Sequence, residues 1–323
     1  MDISRCDVIT IPDNLYKSLV KRVRVDDAWI KTQLVDQGTL NDGSKLKIRV
    51  YSIKFSGNQQ EYVGLIDTIV EKIPDFVLSQ KEINQLKASG KNPFIRAKNF
   101  FGDVDPEKDG RYGEFILFLM VETILKCPMI AHKIILYNPN DQVKGSDGLF
   151  FGEYGDSYAL LIGEAKIEND RSKPIKRALS SIDRFYKSES GGMDQFHELI
   201  VAKKGISEDF SQEELDSLYK IMDQQSSEYK STIKVHPILI IYDDKGVNNI
   251  EIEAKNVVES EQKMAILTKK LMLELVEKIK TEINSNHKEL LKVNLDFFFI
   301  PTSDVAKLKH AFYKAIHGVK YKK

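Results

Sequence analysis

The chain has 323 residues, 42% of them hydrophobic and 30% charged. That is the make-up of an ordinary folded protein, long enough to bury a sizeable core. Its 48 Lys and Arg residues balance 48 Asp and Glu. This argues against a stand-alone nucleic-acid binder, because lysine and arginine contacts to phosphate supply most non-specific affinity.

Motif absences narrow the field further. Cys6 and Cys127 make no CxxC spacing, and the six histidines form no HExxH pair, so a zinc site is not expected. There is no GxxxxGK[ST] and no GxSxG, which excludes a P-loop ATPase and a nucleophile-elbow hydrolase. The N-terminus lacks a basic-then-apolar leader and no apolar run is long enough to cross a bilayer, so the expected setting is the cytoplasm, with no membrane partner.

In chain order, residues 1–92 read as a separate α+β layer. Leu46–Phe55 alternates as a strand does, Gln60–Lys72 reads as a helix stopped by Pro74, and Ser79–Ser89 as a second, polar helix. Gly90-Lys-Asn-Pro93 is a linker signal. Residues 93–323 then read as the main domain. The loop Gly102–Gly110 is acidic but lacks EF-hand spacing. Arg111–Lys126, RYGEFILFLMVETILK, is an amphipathic-to-buried helix with Glu114 in its first turn and Glu122 two turns on. An acid in a first turn is favoured by the helix dipole alone.

Past a short strand at Lys133–Tyr137, the stretch Gly145–Ile167, GSDGLFFGEYGDSYALLIGEAKI, reads as two strands joined by a turn. Asp147 opens the first strand, and Glu164-Ala165-Lys166 closes the second. In an antiparallel hairpin of this length Asp147 and Glu164 become neighbours at an edge of the sheet. Alternation places Glu164 and Lys166 on one face and turns Ala165 away. Two carboxylates and a lysine at one point suit metal-assisted phosphodiester cleavage. The oxygens fit Mg²⁺ or Mn²⁺, the metal acidifies a bound water, and the lysine positions it or offsets charge on phosphorus.

Acid-x-Lys triplets recur in this chain, at Glu228, Asp243, Glu253 and Glu261, so context has to choose among them. Glu164 follows the apolar run Tyr158–Ile162, which reads as a buried central strand, where unpaired charge is costly. Glu253 is the one serious rival, at the end of Asn249–Glu253. That segment alternates Ile with Glu as a half-solvated strand does, so surface charge is the simpler reading.

Beyond the hairpin come a helix from about Pro174 to Ser188, a polar insertion at 188–231 with a helix at Gln212–Met222, and a buried strand at Ile233–Tyr242. Pro237 argues that this strand is an edge or carries a bulge. A long amphipathic helix at Glu259–Ile283 should cover the sheet, and Asn294–Pro301 is a late strand. The tail from Lys307, rich in cations and tyrosines, reads as an amphipathic C-terminal helix in preference to a DNA contact. The fold class is therefore α/β, a central mixed sheet flanked by helices with an N-terminal α+β extension.

The order helix with Glu114, strand, Asp147 strand, Glu164-x-Lys166 strand, helix resembles the PD-(D/E)xK, or restriction-endonuclease-like, nuclease core. More narrowly, Gly113-Glu114 opening an apolar helix, Lys144-Gly-Ser-Asp147-Gly, Gly163-Glu-Ala-Lys166 and the late strand at Asn294 resemble the HamA family, the nuclease subunits of Hachiman antiphage defence. The resemblance covers roughly residues 95–323. Ser146 stands where the superfamily's name has proline, a departure many members share. The resemblance implies Asp147 and Glu164 as metal ligands, joined by the Ala165 carbonyl, with Glu114 as an auxiliary ligand and Lys166 orienting the attacking water. It also implies Mg²⁺ or Mn²⁺ as cofactor, DNA as substrate, and a HamB-like superfamily-2 helicase that restrains the nuclease. The alternatives are a non-catalytic subunit that regulates a helicase and a stand-alone restriction-like nuclease.

Overall fold

Strands in this chain are runs of Val, Ile, Phe and Tyr whose successive side chains point to opposite faces, and both faces here are packed. The computed structural model describes residues 18, 19, 21–41, 43–131, 146–186 and 209–322. In chain order the elements are α1 (Ala28–Gln33), β1 (Leu34–Asn41), β2 (Leu46–Ile53), β3 (Phe55–Ser56), β4 (Gln59–Gln60), α2 (Tyr62–Val70), α3 (Ile73–Val77), α4 (Gln80–Ala88) and α5 (Pro93–Ala97). There follow α6 (Arg111–Met120), β5 (Met129–Ala131), β6 (Gly148–Tyr154), β7 (Ser157–Glu168), α7 (Ser172–Asp183), α8 (Gln212–Met222) and α9 (Ser227–Ser231). Last are β8 (Ile233–Asp243), α10 (Lys245–Glu253), α11 (Val257–Asn286), β9 (Asn294–Thr302) and α12 (Val305–His317).

Among the described residues, one seven-stranded sheet runs β1-β2-β9-β8-β7-β6-β5. Its middle, β2, β9, β8 and β7, is parallel, and β1, β6 and β5 join antiparallel. This is the expected mixed sheet flanked by helices. On one face Leu161, Ala165, Leu239 and Phe298 pack against α2, α6 and α12. On the other, Ile238, Ile240, Phe297 and Phe299 meet α7 and α11, while Leu149, Phe151, Leu160 and Ile162 are covered by Leu218, Ile221 and Met222 of α8. No described helix is long and apolar enough to cross a membrane.

Three expectations change. The strand read at Leu46–Phe55 does not belong to a separate layer: β2 pairs in parallel with β9, Leu46 to Leu295 through Val50 to Phe299. The linker signal at Gly90–Pro93 is a helix start, where Asn92 accepts the Phe94 N–H at 2.9 Å and Pro93 opens α5. The strand carrying Pro237 is central, between β7 and β9. Its pairing with β7 lapses between Leu161↔Val235 and Glu164↔Ile238 without a change of register, so the missing proline N–H is absorbed in a local gap. The strand expected at Lys133–Tyr137 lies outside the described residues.

The helix expected at Arg111–Lys126 is α6 followed by a π-helical turn at Val121–Leu125. Buried Glu122 accepts the N–H groups of Arg24 (2.7 Å) and Met129 (3.1 Å) there, and burial pushes its carboxyl up to about 7. It ties the N-terminal segment to the core.

His236 on β8 is fully buried and meets the Tyr186 hydroxyl at 2.8 Å. Burial pushes its imidazole from 6.5 down to about 3. The unfolded chain therefore binds a proton below about pH 6.5 that the folded chain refuses, and stability is lost as pH falls from there toward 3. Glu122 acts with the opposite sign, since the fold holds its proton up to about pH 7. Comparison with a variant isolates the histidine. His236→Gln should lose less stability than the parent between pH 7 and 5, read from urea midpoints. Equal pH slopes would mean that His236 does not set acid sensitivity.

Candidate active site

The β6–β7 register ends at Gly148↔Gly163, and Asp147 lies one residue beyond it, beside the Glu164 end of β7. The Asp147 N–H still donates to the Gly163 carbonyl, at 2.9 Å. β7 continues to Glu168 with β8 as its neighbour, so it overhangs the start of β6. On that overhang the Ala165 N–H points toward β6. The Asp147 carboxylate accepts it through Oδ2 at 2.7 Å, doing what a strand carbonyl would otherwise do. The Ala165 carbonyl points to the same side.

Asp147 and Glu164 are both buried, at 7% and 5% exposure, which is unusual for acids without a paired or functional role. Lys166 ion-pairs with Glu164 Oε1, and its Nζ also donates to the Ala165 carbonyl at 3.3 Å. The other Glu164 oxygen, Oε2, accepts from the Ser181 hydroxyl of α7 at 3.2 Å. Ser181 in turn accepts from Arg184 Nη2 at 3.1 Å. The hairpin thus brings Asp147, Glu164, the Ala165 carbonyl and Lys166 together. Their juxtaposition is a consequence of register, and the end of the sheet where β7 overhangs takes the place of the lateral edge.

α6 lies close over this point because two glycines let it. A Cβ on Gly113 would sit 3.3 Å from the Ala165 Cβ, and one on Gly163 would sit 2.8 Å from Leu117 Cδ2. Glu114, next to Gly113, is half-buried in the first turn of α6. Even so, no group of three or more His, Cys, Asp or Glu side chains among the described residues is spaced to hold a metal.

The rival triplet sits elsewhere. The segment read as a half-solvated strand at Asn249–Glu253 is the end of helix α10, started by Asp244, which accepts the Gly246 N–H at 2.8 Å. Ile250 is buried and Ile252 is 77% exposed, so the alternation of Ile and Glu coincides with a helix. Glu253 is at the surface with Lys263 at 3.1 Å. Its neighbour Glu251 is buried and accepts the Gln60 N–H at 2.9 Å and the Ser303 hydroxyl at 2.8 Å, a structural role. In the C-terminal tail, α12 buries Leu308, Phe312 and Ile316, as an amphipathic helix should.

Ser181 and Arg184 are the site's neighbours that sequence reasoning missed. Serine has no chemistry of its own to flag it. The available signal was a polar residue, Ser181, flanking the buried stripe Ile175, Ala178, Leu179 and Ile182 of α7.

A HamA family profile matches residues 25–316. The chain belongs to the HamA family. It is therefore a Hachiman-associated protein, which places it in the context of antiphage defence. No curated relative matches the chain. The matched span takes in β1 and β2 as well as the hairpin. The sheet-forming N-terminal strands are thus part of what defines a HamA protein, including a stretch where the sequence by itself carried no recognisable signature.

Proposed function

We propose that this HamA protein is a metal-dependent DNA endonuclease, the effector of a Hachiman complex with a superfamily-2 helicase, and that its core is of the PD-(D/E)xK type. The observation that carries this reading is the position of the Lys166 ammonium, between the Glu164 carboxylate and the Ala165 carbonyl. A cation already rests between two of the oxygens that the reading assigns to a metal. The donor set, two carboxylates and a carbonyl, is all oxygen, as Mg²⁺ and Mn²⁺ prefer. Asp147, Glu164 and the Ala165 carbonyl would hold the ion, with Glu114 as the auxiliary ligand the resemblance implies. When bound, it polarises the phosphate and acidifies a coordinated water.

The chain's own residues do the rest. Asp147 keeps β7's overhanging Ala165 amide satisfied, which holds the carbonyl of the same residue toward the substrate side. Lys166, beside both oxygens, has the donors to orient the attacking water and offset charge on the phosphate oxygens. Balanced net charge means weak intrinsic capture of duplex DNA, which suits a nuclease loaded onto its substrate by a helicase.

The experiment is plasmid nicking by the purified chain with Mg²⁺ or EDTA, alone and with the helicase subunit. Mg²⁺-dependent nicking that strengthens with the partner supports the reading. No cleavage in any combination would leave the second reading, a non-catalytic helicase regulator. Vigorous partner-free cleavage would leave a restriction-like enzyme.

A further inference from the structure

We propose that Ser181, backed by Arg184, is a positioning residue that fixes which oxygen of Glu164 faces the metal. The inference rests on the metal-site reading above and extends it to α7. A guanidinium has only donors, so in its 3.1 Å contact with Arg184 the Ser181 oxygen must be the acceptor. Serine has one hydroxyl proton. With its oxygen engaged by Arg184, that proton points along the remaining contact, to Glu164 Oε2 at 3.2 Å. The relay has a single direction, Arg184 to Ser181 to Glu164. It holds Oε2 against α7 and turns Oε1 toward Lys166.

The tether is worth having only if its anchor is rigid, and α7 is well anchored. Its stripe of Ile175, Ala178, Leu179 and Ile182 is buried against the sheet. The helix closes on Asp183, which is 1% exposed and meets His287 Nδ1 at 2.8 Å beyond the end of α11. A carboxylate ligand with one oxygen held by an outer partner has fewer rotamers to lose on binding metal, and such outer partners commonly govern roughly 10- to 100-fold in affinity.

The test uses the full chain and two readouts, Mn²⁺ binding by calorimetry and plasmid nicking. Ser181→Ala should weaken Mn²⁺ binding roughly tenfold and lower nicking with it, with the urea midpoint little changed. Ser181→Thr keeps the hydroxyl and should restore both. A Ser181→Ala protein that binds Mn²⁺ as the parent does overturns the positioning role, and so does a Ser181→Thr protein as impaired as the alanine variant. Glu164→Ala separates the two layers of inference. If it loses Mn²⁺ while Ser181→Ala does not, the metal site stands and Ser181 is merely structural. If Glu164→Ala binds Mn²⁺ like the parent, the metal-site reading and the role of Ser181 fall together.

Discussion

Replacing Glu164 or Lys166 with alanine is expected to abolish plasmid nicking and phage protection while leaving the fold intact. Loss of one transition-state contact typically costs on the order of 10²–10³ in rate, and loss of a metal ligand at least that. The fold should tolerate the change because the pair lies at the overhanging end of β7, beside a sheet held by packing on both faces. Asp147 needs a gentler substitution. Alanine there would also strand the Ala165 N–H, whereas Asp147→Asn keeps an oxygen acceptor for it and removes only the charge. The control is Glu253→Ala with Lys255→Ala, which lie at the surface on and just past α10 and should be nearly silent. If the control pair kills cleavage and Glu164→Ala does not, the chemistry belongs to the other triplet.

The hairpin was legible in the sequence because everything that builds it is local. An apolar run, a turn at Gly155 and period-two alternation suffice to bring Asp147 beside the Glu164–Lys166 end of β7. At Glu253 the same local reasoning reads a strand where the chain forms a helix. A short alternation of Ile and Glu does not distinguish a strand from a helix that buries Ile250 and exposes Ile252. What stayed hidden depends on distance along the chain. Nothing in Leu46–Val50 announces a parallel partner at Leu295–Phe299, so an integral part of the sheet reads as an extension. Ser181 and Arg184 were hidden differently, since their role exists only once α7 is laid across β7. Pro237 misled because a general rule about edge strands yields when a central ladder leaves one local gap.

Asp296→Ala should be among the most destabilising single substitutions in the chain, by about 3–5 kcal/mol, the usual result of removing one partner of a buried ion pair. Asp296 on β9 has no exposed surface. It accepts from Arg49 Nε at 2.8 Å and Arg49 Nη2 at 3.1 Å on β2, and from the Tyr154 hydroxyl at 2.9 Å at the end of β6. Three strands are thus joined through one carboxylate, two of them across sequence separations of 247 and 142 residues. Without it, the largely buried Arg49 guanidinium keeps its charge and loses its counter-ion, and the Tyr154 hydroxyl loses its acceptor. Asp296→Asn keeps the volume but sets an amide NH₂ among donors, so it should recover only part of the loss. Tyr154→Phe removes a single hydrogen bond to a charged group and should cost less, about 1.5–3 kcal/mol. Urea unfolding of the three variants at neutral pH gives the order directly, provided the m-values agree. If Asp296→Ala proves no more damaging than Tyr154→Phe, the Arg49 pair contributes little and packing alone holds β2 to β9.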